Sequence, residues 1–114
     1  MYDLENRLLV FSKKLLICIR ETHTEYINRN IIDQVIRSGT SIGANYYEAN
    51  GANGKKDFAN KIHICKKEAK DTVYWLELLS EVSKNPPLEL KTLLEEAREI
   101  MCIFNKIAQK VKTY

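Results

Sequence analysis

A chain of 114 residues, 45% hydrophobic and 29% charged, is the size of one domain with enough apolar matter for one packed core, which excludes a disordered chain. Its longest apolar runs, residues 8–11 and 15–19, fall far short of the roughly 20 residues of a spanning helix, so neither a membrane segment nor a membrane partner is expected. The start Met1-Tyr2-Asp3-Leu4-Glu5 lacks a basic stretch followed by an apolar block, and three cysteines occur without a Cys-x-x-Cys pair. Reduced thiols and a cytoplasmic setting follow, while a net charge of +3 permits an acidic partner without demanding one.

The first segment places Leu4, Leu8, Phe11, Leu15 and Cys18 at steps of four, three, four and three, which is one face of a helix. Leu9, Leu16 and Ile19 widen that stripe, as a bundle helix requires. The helix should end near residues 21–25, with His23 close to its last turn.

The second segment, from about Asn30 to Asn50, repeats the alternation with Ile32, Val35, Gly39, Ile42, Tyr46 and Ala49. Asn28 or Asn30 is placed to cap its start, and Gly51 and Gly54 bracket its exit. Gly39 and Gly43 lie inside it; each costs roughly 1 kcal/mol of helix propensity against Ala. Their small size suits a closely approaching neighbour helix.

The third segment begins near Lys55, with Gly54 as cap and Asp57 in the first turn, where a carboxylate suits the helix dipole. Its stripe is Phe58, Ile62, Cys65, Ala69, Thr72, Leu76 and Leu79. Tyr74, Trp75, Leu78 and Val82 fall off this stripe, together with Ile64. An apolar second face of that kind predicts a contact between subunits. Asn85-Pro86-Pro87 then punctuates the chain. The expected reading is Asn85 as cap and Pro86 in the first helical position. The last helix carries Leu90, Leu93, Ala97, Ile100, Phe104, Ile107 and Val111, flanked by Leu94 and Met101. With no strand-like alternation, the prediction is an all-α, antiparallel up-down-up-down four-helix bundle spanning residues 1–114 as one domain.

Catalytic chemistry is not legible. No Gly-x-Gly-x-x-Gly or Gly-Lys-Ser/Thr loop occurs, and Gly51-Ala52-Asn53-Gly54-Lys55-Lys56 lacks P-loop spacing. The only histidines are His23 and His63, and there is no Glu-x-x-His pair, so neither a di-iron bundle nor any other metal or cofactor is expected. Cys18, Cys65 and Cys102 read as small buried hydrophobes on three helices. Two polar features remain. Gln34, Ser38, Ser41, Asn45 and Glu48 form a row beside the second helix's core stripe. That row is either solvated or a buried seam in which Asn45 and Glu48 bond across to another helix. Arg37 lies near it, in reach of Asp33 or of Glu48 in a neighbouring chain. Lys55, Lys56, Lys61, Lys66, Lys67 and Lys70 crowd the start of the third helix against only Asp57 and Glu68. They form either an ordinary soluble face or a patch that contacts phosphate without reading sequence.

Gln34, Arg37-Ser38-x-x-Ser41-Ile42-x-x-Asn45-x-x-Glu48, then Lys56-Asp57-Phe58 and Ile64-Cys65-Lys66-Lys67-Glu68-Ala69-Lys70-Asp71 resemble the 23S rRNA intervening-sequence proteins. Members usually carry a small residue near Glu68 and a glutamate near Asp71. The resemblance implies a left-handed up-down bundle that assembles as a homopentamer. The family is in turn similar to the accessory variability determinant of diversity-generating retroelements, a basic pentameric barrel that binds a reverse transcriptase and nucleic acid. The expected function is a non-enzymatic homo-oligomeric protein that touches RNA, DNA or a nucleic-acid-processing partner. The alternative is a structural or protein-interaction scaffold without nucleic-acid binding.

Overall fold

Asp3 opens the first helix with an extended backbone, and its carboxylate accepts the Asn6 N–H at 3.2 Å. The computed structural model describes residues 3–111; Met1, Tyr2 and residues 112–114, included in the one-domain reading, lie outside them. Helix α1 (Leu4–Glu21) buries Leu8, Phe11, Leu15 and Cys18 of the stripe read from the sequence, and Leu4 at its start is half-buried. It stops at Thr22, whose hydroxyl donates back to the Cys18 carbonyl at 2.8 Å.

Helix α2 (Arg29–Asn50) follows Asn28, which sits at the cap position but does not cap with its side chain. Fully buried, Asn28 instead accepts the Glu25 N–H at 2.7 Å through Oδ1. Its Nδ2 donates to the His23 carbonyl at 2.9 Å and to Ser83 Oγ at 3.3 Å. The α1–α2 connection is thereby tied to the far end of the third helix. Helix α3 (Lys55–Val82) starts from Gly54, whose φ of +93° suits a residue without Cβ.

Helix α4 (Glu89–Lys110) begins three residues later than Pro86. Pro87 keeps the residue before it out of the helical region, so Pro86 cannot be a first helical residue. Asn85 does not cap; it takes a left-handed φ of 45°, which asparagine tolerates. The helix opens at Leu88 without a side-chain cap.

Each helix packs against two neighbours: α1 and α3 both touch α2 and α4, and neither diagonal pair meets. Facing residues run in opposite directions. Glu5 meets Asn50, Glu48 meets Lys61 and Arg37 meets Glu68, while Arg7 meets Glu96 and Arg98 meets Glu77. The bundle is therefore antiparallel throughout. Its fully buried centre includes Phe11, Leu15, Ile42, Ile62, Leu76, Ile100 and Phe104. Tyr46 packs edge-on against Phe104 with centroids 5.7 Å apart. Among the described residues no helix is long and apolar enough to cross a membrane.

The two glycines of α2 face α1 but are not equivalent. A Cβ on Gly39 would come within 2.5 Å of Leu15 Cδ1, and Leu15 is fully buried. A Cβ on Gly43 would lie 3.4 Å from Leu8 Cβ, an ordinary contact. Overpacking a core costs about 1–3 kcal/mol, whereas Gly→Ala inside a helix gains roughly 1 kcal/mol. Gly39→Ala should therefore lower stability by up to about 2 kcal/mol. Gly43→Ala should leave it unchanged or raise it by up to about 1 kcal/mol. Urea denaturation of both variants checks the contrast.

Candidate nucleic-acid interface and its polar frame

The polar row of α2 faces α3, and the structure divides it. Ser38 is fully buried; its hydroxyl donates to the Gln34 carbonyl at 2.8 Å. The Thr72 hydroxyl lies 3.1 Å from Ser38 Oγ and 2.7 Å from the Glu68 carbonyl oxygen, sharing one proton between them. Glu48 bonds across to Lys61 at 2.7 Å, at the exposed margin. Asn45 does not reach another helix; its Nδ2 donates to the Ser41 carbonyl, and Ser41 donates to the Arg37 carbonyl. Within the chain Arg37 does not pair with Asp33. Its guanidinium donates to Gln34 Oε1 at 3.1 Å and to Glu68 Oε2 at 3.2 Å. Glu68 is the partner that spacing along one helix does not reveal. Its side chain is only 9% exposed, whereas that of Arg37 is half exposed.

The six lysines of α3 do not act as one group. Lys61 points toward α2, and the hydrogen bond and charge of Glu48 raise its pKa. Lys67 bonds to Asp71 at 2.9 Å, a contact that raises its pKa, and lies 3.6 Å from Glu68. Lys55, Lys56, Lys66 and Lys70 are exposed with no ion pair among the described residues. The antiparallel order brings two further cations to this end. Lys110 lines a cleft of about 730 Å³ together with Lys55, Phe58 and Gly54, and Lys106 is exposed one turn earlier on α4. A lysine pair four residues apart on the last helix was the available signal, and only the fold places it beside the first turn of α3.

The α3–α4 hairpin is charged oppositely at its two ends. Residues 55–70 and 104–110 hold eight lysines against Asp57 and Glu68. Residues 71–99, at the other end, hold seven carboxylates against Lys84, Lys91 and Arg98. The second apolar face of α3 is largely filled in at its C-terminal half: Trp75, Leu78 and Val82 are half-buried, while Tyr74, stacked edge-on against Trp75 at 5.2 Å, and the more distant Ile64 are exposed.

Cys18 and Cys65 are buried, and Cys65 Sγ lies 3.6 Å from the Ile42 carbonyl oxygen. Cys102, read as buried, is exposed, because its position falls between the core residues Ile100 and Phe104 on the outer side of α4. Among the described residues no group of three or more His, Cys, Asp or Glu is placed to hold a metal ion.

A family model for the 23S rRNA-intervening sequence protein matches residues 7–106. The chain belongs to this family. It is also similar to a solved protein of unknown function from the S23 ribosomal protein family of Bacteroides thetaiotaomicron. The two share 31% identity over 93% of this chain and 98% of that one, with a TM-score of 0.77. No functionally curated protein matches.

Two predictions follow for this intervening-sequence protein. Arg37→Met strips a nearly buried carboxylate of its guanidinium and should cost about 1–2 kcal/mol, discounted because Arg37 is half exposed. Adding Glu68→Leu should recover most of that loss, while Asn45→Ala, which breaks a bond within one helix, should change stability by about 0.5 kcal/mol or less. Chemical denaturation of the three variants reads both effects.

Burial raises the Cys18 thiol and pushes Cys65 from its ordinary 9.0 up to about 12. At pH 8 iodoacetamide should modify Cys102 in the native protein and reach Cys18 and Cys65 only after unfolding, as mass spectrometry of the peptides would show. A folded thiol that titrates higher than the unfolded one favours the fold at neutral pH. This contribution is complete below about pH 9 and is lost as pH rises toward 12.

Proposed function

We propose that this chain is a non-enzymatic, self-associating cytoplasmic protein whose basic α3–α4 end contacts the phosphate backbone of RNA or DNA. The observation that carries this reading is the charge separation along the hairpin. Among the described residues Lys55, Lys56, Lys66 and Lys70 of α3 stand without ion pairs in the half of the hairpin where Lys106 and Lys110 of α4 arrive, while the hairpin's acidic residues collect in its other half. A scattered solubilising charge would not sort by end. Lysine presents a point charge without a base-reading fork, so the contact selects phosphate and tolerates sequence. One protomer supplies few phosphate contacts; a closed ring of copies, five by the family resemblance, repeats them and raises avidity. Lys61 and Lys67, already held by Glu48 and Asp71, contribute less than the other members of the cluster.

A nucleic-acid-processing protein with an acidic surface fits the same end. A scaffold whose lysines serve only solubility is the alternative reading, and one titration separates them. Fluorescence anisotropy with a structured RNA and a duplex DNA should show binding at low salt. The affinity should fall by roughly a factor of ten or more between 50 and 200 mM salt. Changing Lys55, Lys56, Lys66 and Lys70 together to Glu should abolish binding without altering the helical signal or the mass of the assembly. Absence of binding by the parent at low salt, or equal binding by the variant, rejects the phosphate contact and leaves the scaffold.

A further inference from the structure

We propose that α1 is the face through which copies of this chain join, the Leu9/Leu16 strip of one copy packing against the Val10/Ile17 strip of the next. The inference rests on the self-association proposed above and says where it occurs. Leu9, Val10, Leu16 and Ile17 are 51%, 38%, 44% and 47% exposed, although α1 already buries a full core stripe. No other helix leaves four such residues open, and on α3 the apolar residues off the stripe are mostly covered.

The four residues form two rows, each repeating after seven positions. Adjacent residues on a helix stand about 100° apart, so the rows flank the outermost line of α1, where Lys13 and Arg20 lie. The Leu9 row opens into a groove of about 600 Å³ toward α2, walled by Thr40, Ala44 and Tyr47. The Val10 row opens into a groove of about 550 Å³ toward α4, floored by Phe11 and Leu93. A face used twice, through two different strips, is a head-to-tail contact, and repetition of such a contact closes a ring when the rotation between copies is a whole fraction of a turn. Strips about 100° apart lie near the angle of about 108° between the two contacts of each member in a ring of five.

Charge favours a second copy over an unrelated partner. The α2-side groove has Asp3 and Glu5 at its lower end, and Arg29 stands about five turns above Tyr47 on the same row of α2. The α4-side groove has the Arg7–Glu96 pair in its lower part, Lys14 midway, and Glu21 and Glu89 at the upper end. Two copies side by side at one height therefore set Arg29 of one against Glu21 and Glu89 of the next at the upper end. Among the described residues Asp3, Lys14, Glu21, Arg29 and Glu89 have no ion pair of their own.

Light scattering on the full chain at tens of micromolar tests the contact. Leu16→Glu spoils one strip and Ile17→Glu the other; both positions are exposed, so helical content should match the parent. The parent should assemble and each variant alone should be monomeric. Their equimolar mixture should stop at a two-chain species, because Ile17→Glu retains the first strip and Leu16→Glu the second. Arg29→Glu, at an exposed position that opens α2, should weaken assembly of the parent about tenfold. Tyr74→Glu should assemble like the parent. Retention of the parent mass by both strip variants overturns the assignment to α1 while self-association stands, and a mixture that stays monomeric overturns the two-strip contact. A monomeric parent overturns self-association itself.

Discussion

Ser38 and Thr72 meet at 3.1 Å in the dry middle of the α2–α3 interface, and the alignment of the two central helices depends on that meeting. A one-turn slip would leave each hydroxyl its bond to a carbonyl of its own helix but break the one between them, and a hydrogen bond of this kind contributes about 0.5–1.5 kcal/mol. The other cross-helix contacts fit the same alignment. Arg37 reaches Glu68 on one side, Glu48 reaches Lys61 lower down, and the Cys65 thiol lies against the Ile42 carbonyl between them. Apolar stripes alone would accept several alignments, because one leucine packs much like another. The polar contacts select one, and that alignment sends Lys55, Lys56, Lys66 and Lys70 down the side and end of the bundle with no carboxylate to answer them.

The core stripes were legible because each is a property of one helix. Leu8, Phe11, Leu15 and Cys18 repeat at helical spacing, and a helix that repeats them buries them whatever it packs against. The glycine pair was legible for the same reason, although only the fold distinguishes Gly39, pressed on Leu15, from Gly43. The start of α4 was misread through weighing Pro86 as a helix opener without the effect of Pro87 on the residue before it.

The seam was half legible. Spacing identifies which residues of α2 share a row, but partners belong to the alignment of two helices. Asn45 therefore closes on its own helix while Glu68, unremarkable in the sequence, becomes the acceptor for Arg37. Exposure is likewise a tertiary property. Trp75, Leu78 and Val82 fall off the α3 stripe yet are half-buried by the bundle, while Leu9 and Leu16, read as the widened edge of the α1 stripe, remain open. The pair Lys106 and Lys110 belongs to the same class of residue, whose surroundings are decided by a helix distant in sequence.

The apolar face and the basic end bear on each other through symmetry. A twofold contact through α1 with opposed bundles would set the basic end of one hairpin beside the acidic end of its partner, and the two fields would cancel. A head-to-tail contact keeps every bundle pointing the same way. The lysine-rich halves of the α3–α4 hairpins then lie toward one rim and their carboxylate-rich halves toward the other. Each added copy strengthens the field that draws in a polyanion, and like-charge repulsion along the rim is the opposing cost. Lysine side chains at the rim of such a ring spread outward on flexible stems, and the apolar strips of α1, remote from the outer face of α3, hold the copies together against that repulsion. The placement of apolar rows on α1 and unpaired lysines on α3, diagonally opposite in the bundle, lets assembly and anion contact proceed on separate surfaces.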